Sequence, residues 1–439
     1  MKKESYADTA TELLRFSIPM ILGAVFQQMF SWADALIVGN FAGEQALAAI
    51  GTTTSCVTLL MDLILGAAAG ITILAARFSG AGEREKVRRL TVTFLRLIPF
   101  GAGIAAVIGI LSAGALMRLL ATPAEILSQA VLYLRWMYAG TVFLAVYNTL
   151  AAILRGLGNS RAPFLAVTAA GTANVILDYL LVAGLHLGIG GAAAATVATQ
   201  TMMAVFLLVY TWRNENDLLS DLQKEKPDRQ MFREGMHYAL PLMIQGTAAS
   251  VGKVVLTGFR NGFGIAVIAA VSTAYRVDTV LISPVRSLGA AVAARVSAKL
   301  GAGREDKARQ MFGAGLVMGM AFAAVMTGFV MVFGSPLIGI FGVSDEVRLL
   351  GSQFFRHLGQ FYIICAVMEV MHGYLQGRGM VRFAAANLLF QLGVRIVLSY
   401  RLKNLLGWPV IAYAEGFSWC AAVLSAAACI YLHRKTIRE

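Results

Sequence analysis

Apolar runs of about 20 residues follow one another from residue 14 to residue 432, separated by short polar stretches. At 1.5 Å rise per residue such a run crosses the roughly 30 Å of hydrocarbon in a bilayer. The pattern predicts twelve membrane helices, at 14–38, 47–76, 91–113, 130–154, 162–184, 189–211, 236–259, 265–294, 310–333, 348–375, 383–400 and 409–432. Spans two, eight and ten are longer than a crossing needs, which predicts tilt or interfacial extension. No stretch is left over for a separate soluble domain.

Composition agrees with this all-α, polytopic reading. With 58% hydrophobic and only 14% charged residue types, the chain carries more apolar surface than a soluble fold can hide. The net charge of +13 raises the question of nucleic acid, and the position of each cation answers it. The N-terminus, the 77–89 loop, the 155–161 turn, the 212–233 connection, the 295–309 loop, Arg378, Arg382 and the C-terminus hold 25 Lys and Arg. The alternate connections hold 5, namely Arg118, Arg260, Arg348, Arg401 and Lys403. That asymmetry is an orientation signal, with both termini expected in the cytoplasm and no nucleic-acid partner. A cleavable leader is not expected, because Arg15 interrupts the first apolar run. Cys56, Cys365, Cys420 and Cys429 all fall inside predicted helices and imply no disulfide framework. The five His have no metal-ligand spacing and no Walker loop is present, so neither a metal enzyme nor an ATP-driven pump is indicated.

The chain repeats itself. "AARFSGAGEREKVRR" at 75–89 returns as "AARVSAKLGAGREDKARQ" at 293–310, with three residues added. "LRGLGNSR" at 154–161 returns as "LQGRGMVR" at 375–382, and "FSIPMI" at 16–21 as "YALPLM" at 238–243. Apart from the gapped start of the first pair the offset is 221 or 222 residues. This predicts a duplicated six-helix unit, with 1–211 as one bundle, 212–235 as a cytoplasmic linker and 236–439 as the other. Six is even, so the halves enter the membrane in the same sense and a pseudo-two-fold axis along the membrane normal is expected.

The twelve spans, the basic Gly-Ala-Gly loops after spans two and eight, "RGLGNSRAP" after span four and "SWADALIVGNF" in span one together resemble a multidrug and toxic compound extrusion (MATE) transporter. The match covers nearly the whole chain, and Asn174 with Asp178 in "ANVILDYLLV" further resembles the DinF-like prokaryotic branch. The resemblance implies a secondary transporter of the inner membrane rather than an enzyme. It would export lipophilic, often cationic small molecules against an inward flow of protons or sodium, with no other cofactor. A monomer is expected.

Depth selects the polar groups able to meet within the bilayer. Asp34 lies near the outer end of span one, Asp178 near the outer end of span five with Asn174 one turn deeper on the same face, and Thr196 at a similar depth in span six. A charged carboxylate in hydrocarbon costs several kcal/mol, so such acids face water, a partner or one another. Two acids sharing a pocket cannot both ionise cheaply, the property a proton-coupled carrier needs. The same oxygens can instead hold sodium, and the plainer alternative is that the acids only join helices. In the resembling branch a proline in the first helix marks a bend coupled to protonation, and Pro19 matches it, although prolines near helix starts are also common for purely structural reasons.

The second half does not duplicate these acids, since the offset places Arg395 at the Asn174 position and Ser399 at the Asp178 position. Its spans carry Lys253, Arg276, Arg286, Arg356 and Arg395 against Asp278, Glu369 and Glu415. Either these pair into a structural network, or unpaired cations favour anionic or zwitterionic substrates. Phe26, Gln27, Met29, Tyr138, Met243 and Gln245 are candidates for the substrate cavity, with ordinary helix packing as the alternative. The span pattern leaves the role of Asp62 open. A flippase for a lipid-linked glycan and a twelve-helix major facilitator are the competing transporter readings, and a non-transporting receptor is a third.

Overall fold

The computed structural model describes residues 6–220 and 225–432. Lys2, Lys3, Lys224, Arg434, Lys435, Arg438 and His433 lie outside the described residues. Every described element is helical: α1 (Tyr6–Ile37), α2 (Glu44–Gly80), α3 (Arg84–Leu119), α4 (Ala124–Gly156), α5 (Arg161–Asp178), α6 (Gly188–Asn214), α7 (Arg229–Arg260), α8 (Ile265–Gly301), α9 (Glu305–Gly339), α10 (Asp345–Gly359), α11 (Tyr362–Gly377), α12 (Val381–Leu406) and α13 (Val410–Leu432), with short 3₁₀ and π-helical turns between some of them. Eleven helices are long and apolar enough to cross a membrane, and α10 with α11 makes a twelfth span when the two are taken together. That tenth run, expected as one helix, is bent by 53°. The Gly359 carbonyl at the bend accepts a hydrogen bond from Thr327 Oγ1 at 3.1 Å, which satisfies a backbone group that a broken helix exposes.

The helices gather into two compact units, Leu22–Gly246 and Met1–Ile21 with Thr247–Glu439. The division therefore falls inside α1, just after Pro19, and inside α7, shortly after Pro241. It does not fall in the 212–235 connection suggested by the sequence. Packing explains why. In the first unit a Cβ on Gly66 or Gly70 of α2 would strike the α7 backbone at Met243 or Ala239, 2.6 and 2.5 Å away, so the first half of α7 rests directly on α2. In the second unit Glu12 of α1 pairs with Arg295, and with Lys299 at 2.7 Å, while Leu13 is fully buried.

The repeated motifs meet one another within each unit. A Cβ on Gly156 would lie 2.5 Å from Cβ of Ala75, and one on Gly377 would lie 2.6 Å from the carbonyl of Ala293. The two "AAR" segments thus pack against the two glycines that end "LRG" and "LQG", the small-residue contact by which apolar helices approach closely. Their arginines do matching work, since Arg77 donates to Tyr238 Oη of α7 at 3.0 Å and Arg295 pairs with Glu12 of α1. Gly158 and Gly379 follow α4 and α11 with φ of 88° and 87°, left-handed helix ends that other residues adopt at a cost. Asn159, one residue before the N-cap Ser160, fixes the start of α5, its Oδ1 accepting from the Ala162 amide at 3.1 Å and its Nδ2 donating to Tyr210 Oη at 2.8 Å. The motif that carries the resemblance is thus a device for turning and fixing helices.

Candidate functional site

In the first unit α1 and α5 run side by side. Phe26 lies against Phe164 with ring centroids 6.2 Å apart, and the Phe30 ring sits on Gly171, where a Cβ would be 2.1 Å from Cδ2. One turn beyond Phe30 on α1, and two beyond Gly171 on α5, stand Asp34 and Asp178. Their carboxyl groups adjoin each other. Asp178 is 0% exposed, and neither of its oxygens, nor Oδ1 of Asp34, has a hydrogen-bond partner among the described residues. Buried polar atoms are nearly always satisfied, and adjoining carboxyl groups have two ways to be so: one proton shared between the two acids, or a cation held by their oxygens.

Asn174 belongs to the same face of α5 and is buried, with Nδ2 also unpartnered among the described residues. Thr196 is less engaged: its hydroxyl donates to the Ala192 carbonyl of its own helix at 3.0 Å. The buried Tyr133 of α4 lies within electrostatic reach of both Asp34 and Asp178. Sequence reasoning missed it, although its depth near the start of α4 places it in the same outer layer. Also unforeseen were two π-helical turns, Val38–Ala42 after α1 and Tyr179–Gly184 directly after Asp178. Phe41 and Tyr179 meet edge to face across them, centroids 5.9 Å apart. A π turn skips the usual i→i−4 bonding, costs stability, and is found disproportionately beside functional sites.

The other candidates disperse. Pro19 is buried inside an uninterrupted α1. Tyr138 is a core residue covering Gly109 of α3, and Phe26 packs on Phe30 and Phe164. Gln27 and Met29 are exposed. Met243 lines an apolar cleft described below, Gln245 keeps a buried, unpartnered Oε1, and Asp62 backs onto Gly246.

In the second unit most buried charges are paired. Arg395 binds Glu415 at 2.8 Å, and Tyr275 Oη joins both, donating to Glu415 at 2.7 Å and accepting from Arg395 at 2.7 Å. Tyr362 donates to Asp278 at 2.6 Å, and Glu369 faces Arg286 at 3.7 Å. The tyrosines are what sequence reasoning lacked. Lys253 and Arg276 stand apart from this network, both exposed and without an ion-pair partner among the described residues.

A family model, MatE, matches residues 19–180 and again 241–401. The chain belongs to the MatE family. The second match begins 222 residues after the first, the spacing of the internal repeat. Membership makes the chain a membrane transporter and not an enzyme. Among its relatives are a probable multidrug resistance protein, YpnP, of Bacillus subtilis (strain 168), 26% identical over 94% of each chain, and the multidrug export protein MepA of Staphylococcus aureus (strain MSSA476), 20% identical over 96% of this chain and 93% of the relative. An outward-facing multidrug resistance MATE family transporter of the MOP superfamily has the same fold, with a TM-score of 0.91 at 20% identity over 98% of this chain and 96% of that one.

Proposed function

We propose that this MatE transporter is a multidrug antiporter of the DinF-like kind, a monomer in the cytoplasmic membrane with both termini inside. It expels lipophilic cationic compounds by alternating access, and Asp34 and Asp178 carry the coupling proton or sodium ion. The reading rests on the adjoining acids and their three orphaned oxygens. With nothing bound, two negative charges so close repel, and uptake of a cation from outside removes that repulsion. Asn174 and Tyr133 complete the polar surroundings. Loading and release then bias the equilibrium between two access states only through the difference in ion affinity between them. Pro19, which denies its helix one backbone hydrogen bond, is the hinge at which α1 answers.

The test is efflux of a fluorescent lipophilic cation from proteoliposomes under an imposed proton or sodium gradient, comparing wild type with Asp178→Asn. Efflux that follows one gradient and is lost in the variant supports the reading and names the ion. Wild-type efflux that the variant leaves unchanged reduces Asp178 to helix packing. A second reading, export of an anionic or zwitterionic metabolite, draws on the unpaired Lys253 and Arg276. An anionic dye that replaces the cation as substrate would put it first.

A further inference from the structure

One large apolar feature of the first unit has no part in ion coupling. A cleft of about 320 Å³ lies between α2, α3 and the first half of α7. Gly101, Ala102 and Ala105 leave room on the α3 wall, Leu63 and Ile64 form the α2 wall, and Met236 lies on α7. The one polar liner, Thr141, turns its hydroxyl to the Tyr138 carbonyl, so nothing in the cleft asks for a hydrogen bond. Phe232 and Met236 also line a second, wider opening of about 700 Å³, whose remaining walls are Arg229, Gln230 and Arg233. Both arginines are exposed, and neither has an ion-pair partner among the described residues. The acids around them are already committed. Asp228 Oδ1 accepts from the amides of Gln230 and Met231 at 2.7 and 3.3 Å, its Oδ2 lies 3.9 Å from Arg89, and Glu225 binds Arg88 at 2.8 Å. Glu234 follows Arg233 in sequence but does not line the opening.

We propose that this continuous cleft is a binding site for an anionic phospholipid, with the phosphate between Arg229 and Arg233 and an acyl chain running past Phe232 and Met236 to Ala102. The two arginines are one helical turn apart and share a face, at the end of α7 that the proposed orientation puts in the cytoplasmic leaflet. Basic pockets between helices on that side are where anionic headgroups bind. Charge selects the lipid class and the apolar cleft demands a chain. A soluble anion satisfies only the first requirement.

The test is native mass spectrometry of the intact protein in mild detergent, offered phosphatidylglycerol and phosphatidylcholine of the same chain length. Both lipids carry a phosphate, but in phosphatidylcholine the choline cation cancels its charge, so two cations beside the headgroup favour the net anionic lipid by about 30-fold. Arg229→Ala with Arg233→Ala should bring that ratio close to one, whereas Arg229→Lys with Arg233→Lys should retain a preference. Ala102→Phe, which fills the cleft, should lower retention of both lipids and leave their ratio alone. Elution as a single species by size exclusion checks that each variant is folded, and the lysine pair and Ala102→Phe carry the test where the alanine pair is not. An unchanged ratio in the alanine pair, no loss in Ala102→Phe, or displacement of the lipid by millimolar inorganic phosphate would each overturn the proposal. The readout is bound lipid rather than transport, so it fails independently of the coupling reading.

Discussion

Gly171→Ala probes whether the spacing of α1 and α5 sets the acid pair. An alanine Cβ at this position would lie 2.1, 2.2 and 2.9 Å from three atoms of the Phe30 ring. Carbon atoms in contact sit at about 3.5–4.0 Å, so ring and helix must separate by about 1.4 Å. Overpacking of this kind costs about 1–3 kcal/mol. Alanine returns up to ~1 kcal/mol in helix propensity, leaving a net loss of about 0–2 kcal/mol. The functional effect should exceed the stability effect, because Asp34 stands one turn from Phe30 and moves with it. Thermal unfolding of the purified protein and gradient-driven efflux are measured for Gly171→Ala, Phe30→Ala and the double variant. Removing the ring removes the clash, so the double variant should be more stable than the sum of the single changes predicts by about 1–2 kcal/mol. A Gly171→Ala protein that unfolds and transports like wild type would refute the argument, as would a penalty of the same size with and without the Phe30 ring.

Arg395→Met leaves Glu415 buried without its cation and should cost up to about 3–5 kcal/mol; adding Glu415→Gln should recover part of that loss in thermal unfolding. Gly373→Ala puts a Cβ 2.1 Å from the carbonyl oxygen of Gly289, a backbone atom that cannot turn aside, whereas a Cβ on Gly393 meets nothing within 4 Å. The first substitution should lower the melting temperature and the second should leave it level or raise it slightly. Asp217, in the short 3₁₀ turn after α6, is held below the usual carboxylate range by the hydrogen bond from Arg84. Its contribution is therefore present above pH ~4 and lost as pH falls through the folded value. With both side chains about half exposed, Asp217→Asn should cost under ~1 kcal/mol at neutral pH, by a margin that closes on acidification and shrinks with salt.

What the sequence made legible follows from what each signal depends on. Span number and duplication depend on hydrophobic length and on glycines at fixed spacing, both local properties, and these appear in the helices as expected. The proximity of Asp34 and Asp178 was approachable because depth along two parallel helices can be counted. Burial of Tyr138 was not, since whether an aromatic side chain covers Gly109 or faces a cavity depends on rotation about the helix axis, which an apolar run with a weak moment does not reveal. The bend between α10 and α11 was hidden for a related reason: no proline marks it, and its stabilising partner, Thr327, comes from α9. The compact units divide inside α1 and α7 rather than at the charged connection between the repeats, because charge marks a loop whereas close packing of small residues, as at Gly66 and Gly70, is long-range in sequence.

Duplication also shows what the acid pair of the first half departs from. At the position of Asn174 the second half has Arg395, tied to Glu415 and Tyr275; at the position of Asp178 it has Ser399, buried and uncharged. The first half keeps acid oxygens buried without a partner from the rest of the fold, while the second gives its buried acids Asp278, Glu369 and Glu415 partners. A duplicated scaffold has no packing reason for that difference, because both halves use the same small-residue contacts at "AAR" and its glycine. If the orphaned oxygens were an accident of packing, Asp34→Asn with Asp178→Asn would remove two buried like charges and stabilise the first unit without consequence. If they are kept for an ion, the same double variant should melt higher and transport nothing. A variant more stable than wild type and equally active would reduce the asymmetry to drift; one that gains stability as coupled efflux disappears would show that the first unit is held below its attainable stability by the site it carries.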